Sequence, residues 1–227
     1  VLSARLRRVG PEPVGFRSQR QQPTWIFDLD NTLHDARPYI FPQINQAMTA
    51  YIQQHLGLDY DAACQLRRHY WLRYGATLLG LMKHHGTDPN HFLWHTHQFP
   101  RLRQVVVSEP GLRIQVSRLP GRKFIFSNAP KHYVDAVLDV LDIRDLFVAV
   151  FGIECVCFRP KPAARGFLQL CRAQHIRMQH CIMVEDTLEN LYAAKKLGMR
   201  TVWMAQAQRT PGYVDRRISS LSELSLN

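Results

Sequence analysis

Asp28 and Asp30 stand one residue apart at the end of an apolar run, Trp25-Ile26-Phe27, and are followed by Asn31-Thr32. In a strand, residues two apart point to the same side, so the pair would face one site if the strand continued unchanged. A bend at Leu29 would still deliver both acids from the end of a buried strand. Carboxylates this close repel, and ionising both calls for a cation or a shared proton. An Asp after a strand also serves as a turn or helix cap, but a pair in this setting suits chemistry better than folding.

Three further segments place chemical groups in the same way. Phe124-Ile125-Phe126 runs into Ser127 and Asn128, Arg159-Pro160-Lys161-Pro162 puts a lysine just before a helix, and Ile182-Met183-Val184 runs into Glu185-Asp186-Thr187. Taken singly, Ser127 reads as a turn residue, Lys161 as a solvated lysine, and Glu185 and Asp186 as caps of the next helix. Their order and their shared placement at strand ends give them weight.

The elements that must position these groups are short. Residues 123–128, 148–153, 181–185 and 200–204 are apolar runs of strand length, separated by helical patterns over 131–141, 162–175 and 188–197. Alternation of this kind predicts a parallel sheet with helices on both faces and a site at the carboxyl ends of the strands. Between the first and second core strands, residues 39–104 read as helices throughout. Phe41-Pro42 opens one that runs toward His55, Gly57 stops it, and Asp59 can cap the next. The expected organisation is a basic flexible tail over 1–22, a core over 23–36 and 105–227, and an inserted helical cap over 37–104.

Composition narrows the partners. The chain has 227 residues, 46% of them hydrophobic, enough for a sizeable core, and 29 Lys and Arg against 18 Asp and Glu give a net charge of +11. That balance would attract nucleic acid, anionic membrane or small phosphorylated compounds alike. Arg5, Arg7, Arg8, Arg17 and Arg20 are opposed in the tail only by Glu12, a composition that also occurs in organelle-targeting leaders. Cys64, Cys155, Cys157, Cys171 and Cys181 form no C-x-x-C pair and no disulfide framework, which points to a reducing cytoplasm. No apolar run is long enough to span a bilayer, and no secretory hydrophobic region is expected.

Asp28-Leu29-Asp30-Asn31-Thr32, Ser127, Lys161 and Glu185-Asp186 match, in order, the four motifs of the haloacid dehalogenase superfamily, which the chain resembles over roughly residues 23–203. The resemblance implies an α/β fold: a Rossmann-like three-layer α/β/α core with a parallel sheet and an inserted α-helical cap. Within that superfamily the segments 28–42 and 70–85, with Tyr74-Gly75 and Gly80-Leu81-Met82-Lys83-His84-His85, look like the pyrimidine 5'-nucleotidase group. Glu185 departs from the Asp or Gly that many members carry there, although a Glu-Asp pair is familiar in related phosphatases and phosphomutases.

What the resemblance implies is hydrolysis of a phosphate monoester, preferably a pyrimidine nucleoside monophosphate, with Mg²⁺ as cofactor. Asp28 would be the nucleophile, forming an aspartyl-phosphate. Asp28, the backbone carbonyl of Asp30 and Asp186 would bind the metal, with Glu185 acting through water. Lys161 would neutralise phosphate and nucleophile, while Ser127 and the backbone N–H of Asn128 would bind phosphoryl oxygens. Asp30 would protonate the departing oxygen and then activate water, a role that dehalogenases do not need and that argues against dehalogenation. A sugar-phosphate phosphatase or phosphomutase is the alternative that Glu185-Asp186 favours. From a different class, a nucleic-acid-binding protein with an idle core would explain the charge but leave the chemical groups without a use. A monomer or a homodimer is expected.

Other residues invite weaker readings. His91 and His95 would share a helix face, with His84, His85 and His97 nearby, and without neighbouring Cys these read as surface or cap-pocket histidines rather than a zinc site. His84 or His85 could touch a substrate base. Tyr70, Trp71 and Tyr74 recur at helical spacing, which reads as a packed face.

Overall fold

The computed structural model describes residues 22–224; the expected basic tail, apart from residue 22, lies outside the described residues. Six strands form one parallel sheet: β1 Thr24–Phe27, β2 Lys123–Phe126, β3 Ala149–Phe151, β4 Cys181–Glu185, β5 Arg200–Met204 and β6 Arg216–Ile218. Their order is β3-β2-β1-β4-β5-β6, so β1 lies at the centre, with Ile26 beside Phe124 on one side and Met183 on the other. Both faces of β1, β2 and β4 are covered, which is why these strands are buried along their whole length and read as unbroken apolar runs.

Strand alternation sends neighbouring residues to opposite layers. Trp25, Phe27, Ile125 and Val184 pack with Tyr133, Val134, Val137 and Leu138 of α7 (Lys131–Val140) and with Leu112 and Val116 of α6 (Leu112–Ser117). Ile26, Phe126 and Met183 pack instead with Phe167 and Leu170 of α8 (Ala164–Ala173) and Leu191 and Ala194 of α9 (Leu188–Lys196). The result is the expected α/β/α arrangement, a Rossmann-like fold.

Between β1 and β2 the chain forms α1 (Ile40–Leu56), α2 (Tyr60–Tyr74), α3 (Thr77–His85), α4 (Pro89–Thr96) and the single turn α5 (Leu102–Val105). α1 ends at Gly57, whose φ of 67° suits a residue without Cβ, and Asp59 caps α2 by accepting from the Ala62 N–H. Asp35 and Val107 form an antiparallel bridge, so the chain leaves for these helices and returns from them side by side. Among the described residues no helix is long and apolar enough to cross a membrane.

Candidate active site

The ends of β1, β2 and β4 and the segment before α8 converge. Asp28 follows β1, and its N–H donates to the Val184 carbonyl of β4. Ser127 follows β2, its N–H donating to the Phe151 carbonyl of β3 and its Oγ accepting from the Ala129 N–H. Lys161 Nζ donates to Asp28 Oδ1, Glu185 Oε2 and the Phe126 carbonyl, each at 2.7 Å. An ammonium has three hydrogens, and here each has a protein acceptor.

One lysine cannot compensate all the charge around it. Asp28 is pushed up to about 7, first by burial and next by Glu185, with Lys161 opposing. Glu185 also rises to about 7, by burial against the pull of Lys161. Burial raises Asp186 as well. Burial alone would depress Lys161, but Asp28 and Glu185 reverse this and raise it. Three clustered acids thus face one lysine, an excess of carboxylates that a cation could balance.

Among the described residues, Asp28, Glu185 and Asp186 are the one group of three or more His, Cys, Asp or Glu whose ligand atoms lie within 4.8 Å of one another. An all-oxygen donor set fits Mg²⁺. Asp186 is oriented from two sides: Asn31 Nδ2 donates to its Oδ2 at 3.2 Å, and Thr187 Oγ1 donates to its Oδ1 at 3.1 Å. Asn31 reaches it from a left-handed backbone, φ 63°, which asparagine tolerates well. Glu185 lies within that group, its Oε2 accepting from Lys161 Nζ and its Oε1 from the Thr187 N–H.

Asp30 points elsewhere from Asp28. Its Oδ1 accepts from Tyr133 Oη at 2.7 Å and lies 2.9 Å from His34 Nε2. Burial and then Asp30 raise the Tyr133 phenol far above its ordinary value, so it stays a donor. β1 ends at Phe27, and beyond it the two acids have different partners while both lie on the wall of one cavity.

That cavity holds about 700 Å³ and lies between the strand ends and the inserted helices. Its floor includes Asp28, Asp30, Ser127, Asn128, Glu185 and Asp186; Lys161 is absent from the wall and sits behind Asp28. Its roof comes from α1 and α2, with Phe41, Asn45, Met48, Arg67, Arg68 and Trp71. Trp71 corrects the packed-face reading: it is 60% exposed, while its neighbour Tyr70 is 6% exposed. Consecutive helical residues are about 100° apart around the axis, so one can turn inward and the next toward the cavity. Arg67 and Arg68 were not singled out by the sequence, because an Arg pair on an amphipathic helix resembles any solvated face.

The histidines divide. His97 is buried on the cavity wall, and burial lowers it to about 4. His84 and His85 bond to Tyr74 and Tyr70 at 2.6 and 2.8 Å and are not part of the wall. His91 Nδ1 pairs with Tyr51 Oη at 2.8 Å, and among the described residues no cluster of metal-ligating groups includes His91 or His95.

A parallel α/β/α sheet with acids, a serine and a lysine at its carboxyl edge defines a hydrolase of the haloacid dehalogenase type. Residues 24–198 match the haloacid dehalogenase-like hydrolase family, and the chain belongs to it. It is 28% identical to the glyceraldehyde 3-phosphate phosphatase of Pyrococcus abyssi, over 78% of this chain and 79% of that one. It is 30% identical to hexitol phosphatase B of Escherichia coli over 51% of this chain, a match that spans only 55% of that relative's length. Among solved structures it resembles a HAD phosphatase from Thermococcus onnurineus, with a TM-score of 0.66, 21% identity and coverage of 89% and 96% of the two chains. A dehalogenase from Xanthobacter autotrophicus also shares the fold, with a TM-score of 0.58, 15% identity and coverage of 89% and 96%. Phosphatases and dehalogenases thus share this architecture, and the reaction must be argued from side chains.

Proposed function

We propose that the chain is a Mg²⁺-dependent phosphomonoester hydrolase that works through an aspartyl-phosphate. The observation that carries this reading is the buried Lys161 shared by Asp28 and Glu185 next to Asp186, with a second aspartate, Asp30, on the same cavity wall. A carboxylate must approach an anionic phosphate, which requires compensating charge. When bound, Mg²⁺ held by Asp28, Asp186, the Asp30 carbonyl and Glu185 would supply that charge to the phosphoryl oxygens.

In this reading Asp28 attacks phosphorus as the ester P–O bond breaks, and Asp30 gives its proton to the departing oxygen. Water then attacks phosphorus as Asp30 takes a proton from it, and phosphate leaves while the Asp28 carboxylate is restored. Ser127 Oγ and the Asn128 N–H hold phosphoryl oxygens. Lys161 holds the nucleophile in place and screens its charge. Residues 37–104 act as a cap that contributes the leaving-group pocket.

For substrate we propose a nucleoside monophosphate, preferably a pyrimidine one. The exposed Trp71 face offers a stacking surface for a flat base, and Arg67 and Arg68 suit a polar, anionic ligand, in a cavity large enough for both sugar and base. A second reading, a sugar phosphate, is favoured by relatives named as phosphatases of hexitol phosphates and glyceraldehyde 3-phosphate. A panel of phosphate monoesters assayed with Mg²⁺, and again after chelation, separates these. Turnover of nucleotides with Mg²⁺ is expected; turnover of sugar phosphates alone rejects the substrate while sparing the reaction, and no metal-dependent turnover of any ester rejects both.

A further inference from the structure

Tyr133 and His34 meet on a single oxygen of Asp30. Tyr133 Oη donates to Oδ1 at 2.7 Å, His34 Nε2 lies 2.9 Å from the same atom, and the two side chains are 3.5 Å apart. Tyr133 is 1% exposed and His34 3% exposed, so this side of Asp30 is sealed from solvent. Among the described residues no protein group bonds to Oδ2. The carboxyl is therefore held from behind by one oxygen, while the cavity is in front.

The histidine ring adds a second constraint. His34 Nδ1 is buried without a partner. A proton on Nδ1 would leave an orphaned N–H, which proteins tolerate less readily than an orphaned acceptor. The arrangement that avoids it has the ring proton on Nε2, donating to Asp30 Oδ1. Two donors on one oxygen then oppose rotation of the carboxyl group, which would exchange its oxygens.

We propose that Tyr133 and His34 are positioning residues that hold Asp30 by Oδ1 and thereby make Oδ2 the atom that exchanges the catalytic proton. This rests on the acid–base reading of Asp30 given above. The proton leaves Oδ2 for the ester oxygen as the P–O bond breaks, and in the second half-reaction Oδ2 receives one from the attacking water. Oδ1 stays engaged with its two donors throughout, so the transfer needs no side-chain rotation.

The test compares leaving groups. para-Nitrophenolate departs without being protonated, whereas the alkoxide of an aliphatic phosphate ester does not, and kcat/KM reports the first irreversible step, transfer to Asp28. Tyr133→Phe keeps the buried ring and removes only the donor, so it serves as the main variant, with His34→Leu and Asp30→Asn beside it. For Tyr133→Phe we expect kcat/KM to fall by about ten- to a hundredfold on the aliphatic ester and less than about threefold on para-nitrophenyl phosphate. The double variant Tyr133→Phe/His34→Leu should approach the selectivity of Asp30→Asn. Equal losses on both substrates, or none on the aliphatic one, overturn the positioning role. If Asp30→Asn is itself unselective between the esters, the acid–base reading fails and this inference with it.

Discussion

Asn128 grips the Lys161 peptide by both of its polar groups: Nδ2 donates to the Lys161 carbonyl at 3.1 Å, and Oδ1 accepts from the Lys161 N–H at 2.7 Å. A residue at the end of β2 thereby fixes the segment that carries the lysine, and the lysine in turn holds Asp28 and Glu185. The Asn128 side chain thus has structural work of its own, whatever its backbone N–H does for a ligand.

Replacing Asn128 with Ala removes both bonds. Each hydrogen bond contributes roughly 1 kcal/mol net, so stability should fall by about 2 kcal/mol in chemical denaturation. Because Lys161 loses its alignment, kcat should fall more than KM rises. A KM effect alone would show that the clamp does not reach the nucleophile.

Lys161→Met leaves two buried carboxylates facing each other with no cation. Breaking a buried ion pair from one side costs about 3–5 kcal/mol, and a midpoint shift of that size is expected in chemical denaturation. Added Mg²⁺ should raise the melting temperature of this variant by more than it raises that of the parent, since the ion would replace the missing charge. Equal shifts in the two proteins would argue against a cation at Asp28, Glu185 and Asp186.

Gly80 sits inside α3, where alanine normally stabilises a helix by up to about 1 kcal/mol. A Cβ built there would lie 2.1 Å from Tyr70 Cγ of α2, so the sign reverses. Gly80→Ala should destabilise by about 1–3 kcal/mol through overpacking. A stabilised variant in thermal unfolding would mean that α2 and α3 pack less closely than described.

His97 carries a pH signature. Its value falls to about 4 in the folded protein because burial disfavours the charged ring, whereas the unfolded chain titrates near 6.5. Well above pH 6.5 both states are neutral at this ring and no charge penalty attaches to its burial. As pH falls through that value toward 4, the unfolded state takes up a proton that the folded state refuses, and stability is lost. The loss should total on the order of 3 kcal/mol relative to His97→Gln, which lacks the titrating ring. Parallel stability–pH curves for parent and variant would contradict the buried, neutral ring.

Much of the architecture is legible in the sequence, and the exceptions have causes. β4 is visible to the residue because a strand covered on both faces is buried along its whole length, and β5 is visible by its Val202-Trp203-Met204 run although Arg200 at its start is exposed. β6 is not, since Arg216-Arg217-Ile218 offers a single apolar side chain and is placed by pairing with β5. α6 is also hidden: Leu112–Ser117 is too short for its periodicity to show. The acids, Ser127 and Lys161 are brought together as their strand-end spacing suggests. The Asp30–Tyr133 contact joins residues 103 apart in sequence, and a tyrosine on an apolar helix face looks like core, which it also is. Trp71 needs its helix's rotation about its axis, which packing decides.

The central claim is that Asp28 accepts phosphorus. Rapid mixing of the Mg²⁺-loaded protein with a phosphorus-labelled ester that it turns over, followed by acid quench and peptide mapping, tests this most directly. Label should appear transiently on the peptide that contains Asp28, be released by hydroxylamine as an acyl phosphate is, and be absent from Asp28→Asn. Steady turnover with no label on the chain at any time, or undiminished turnover by Asp28→Asn, would contradict the account.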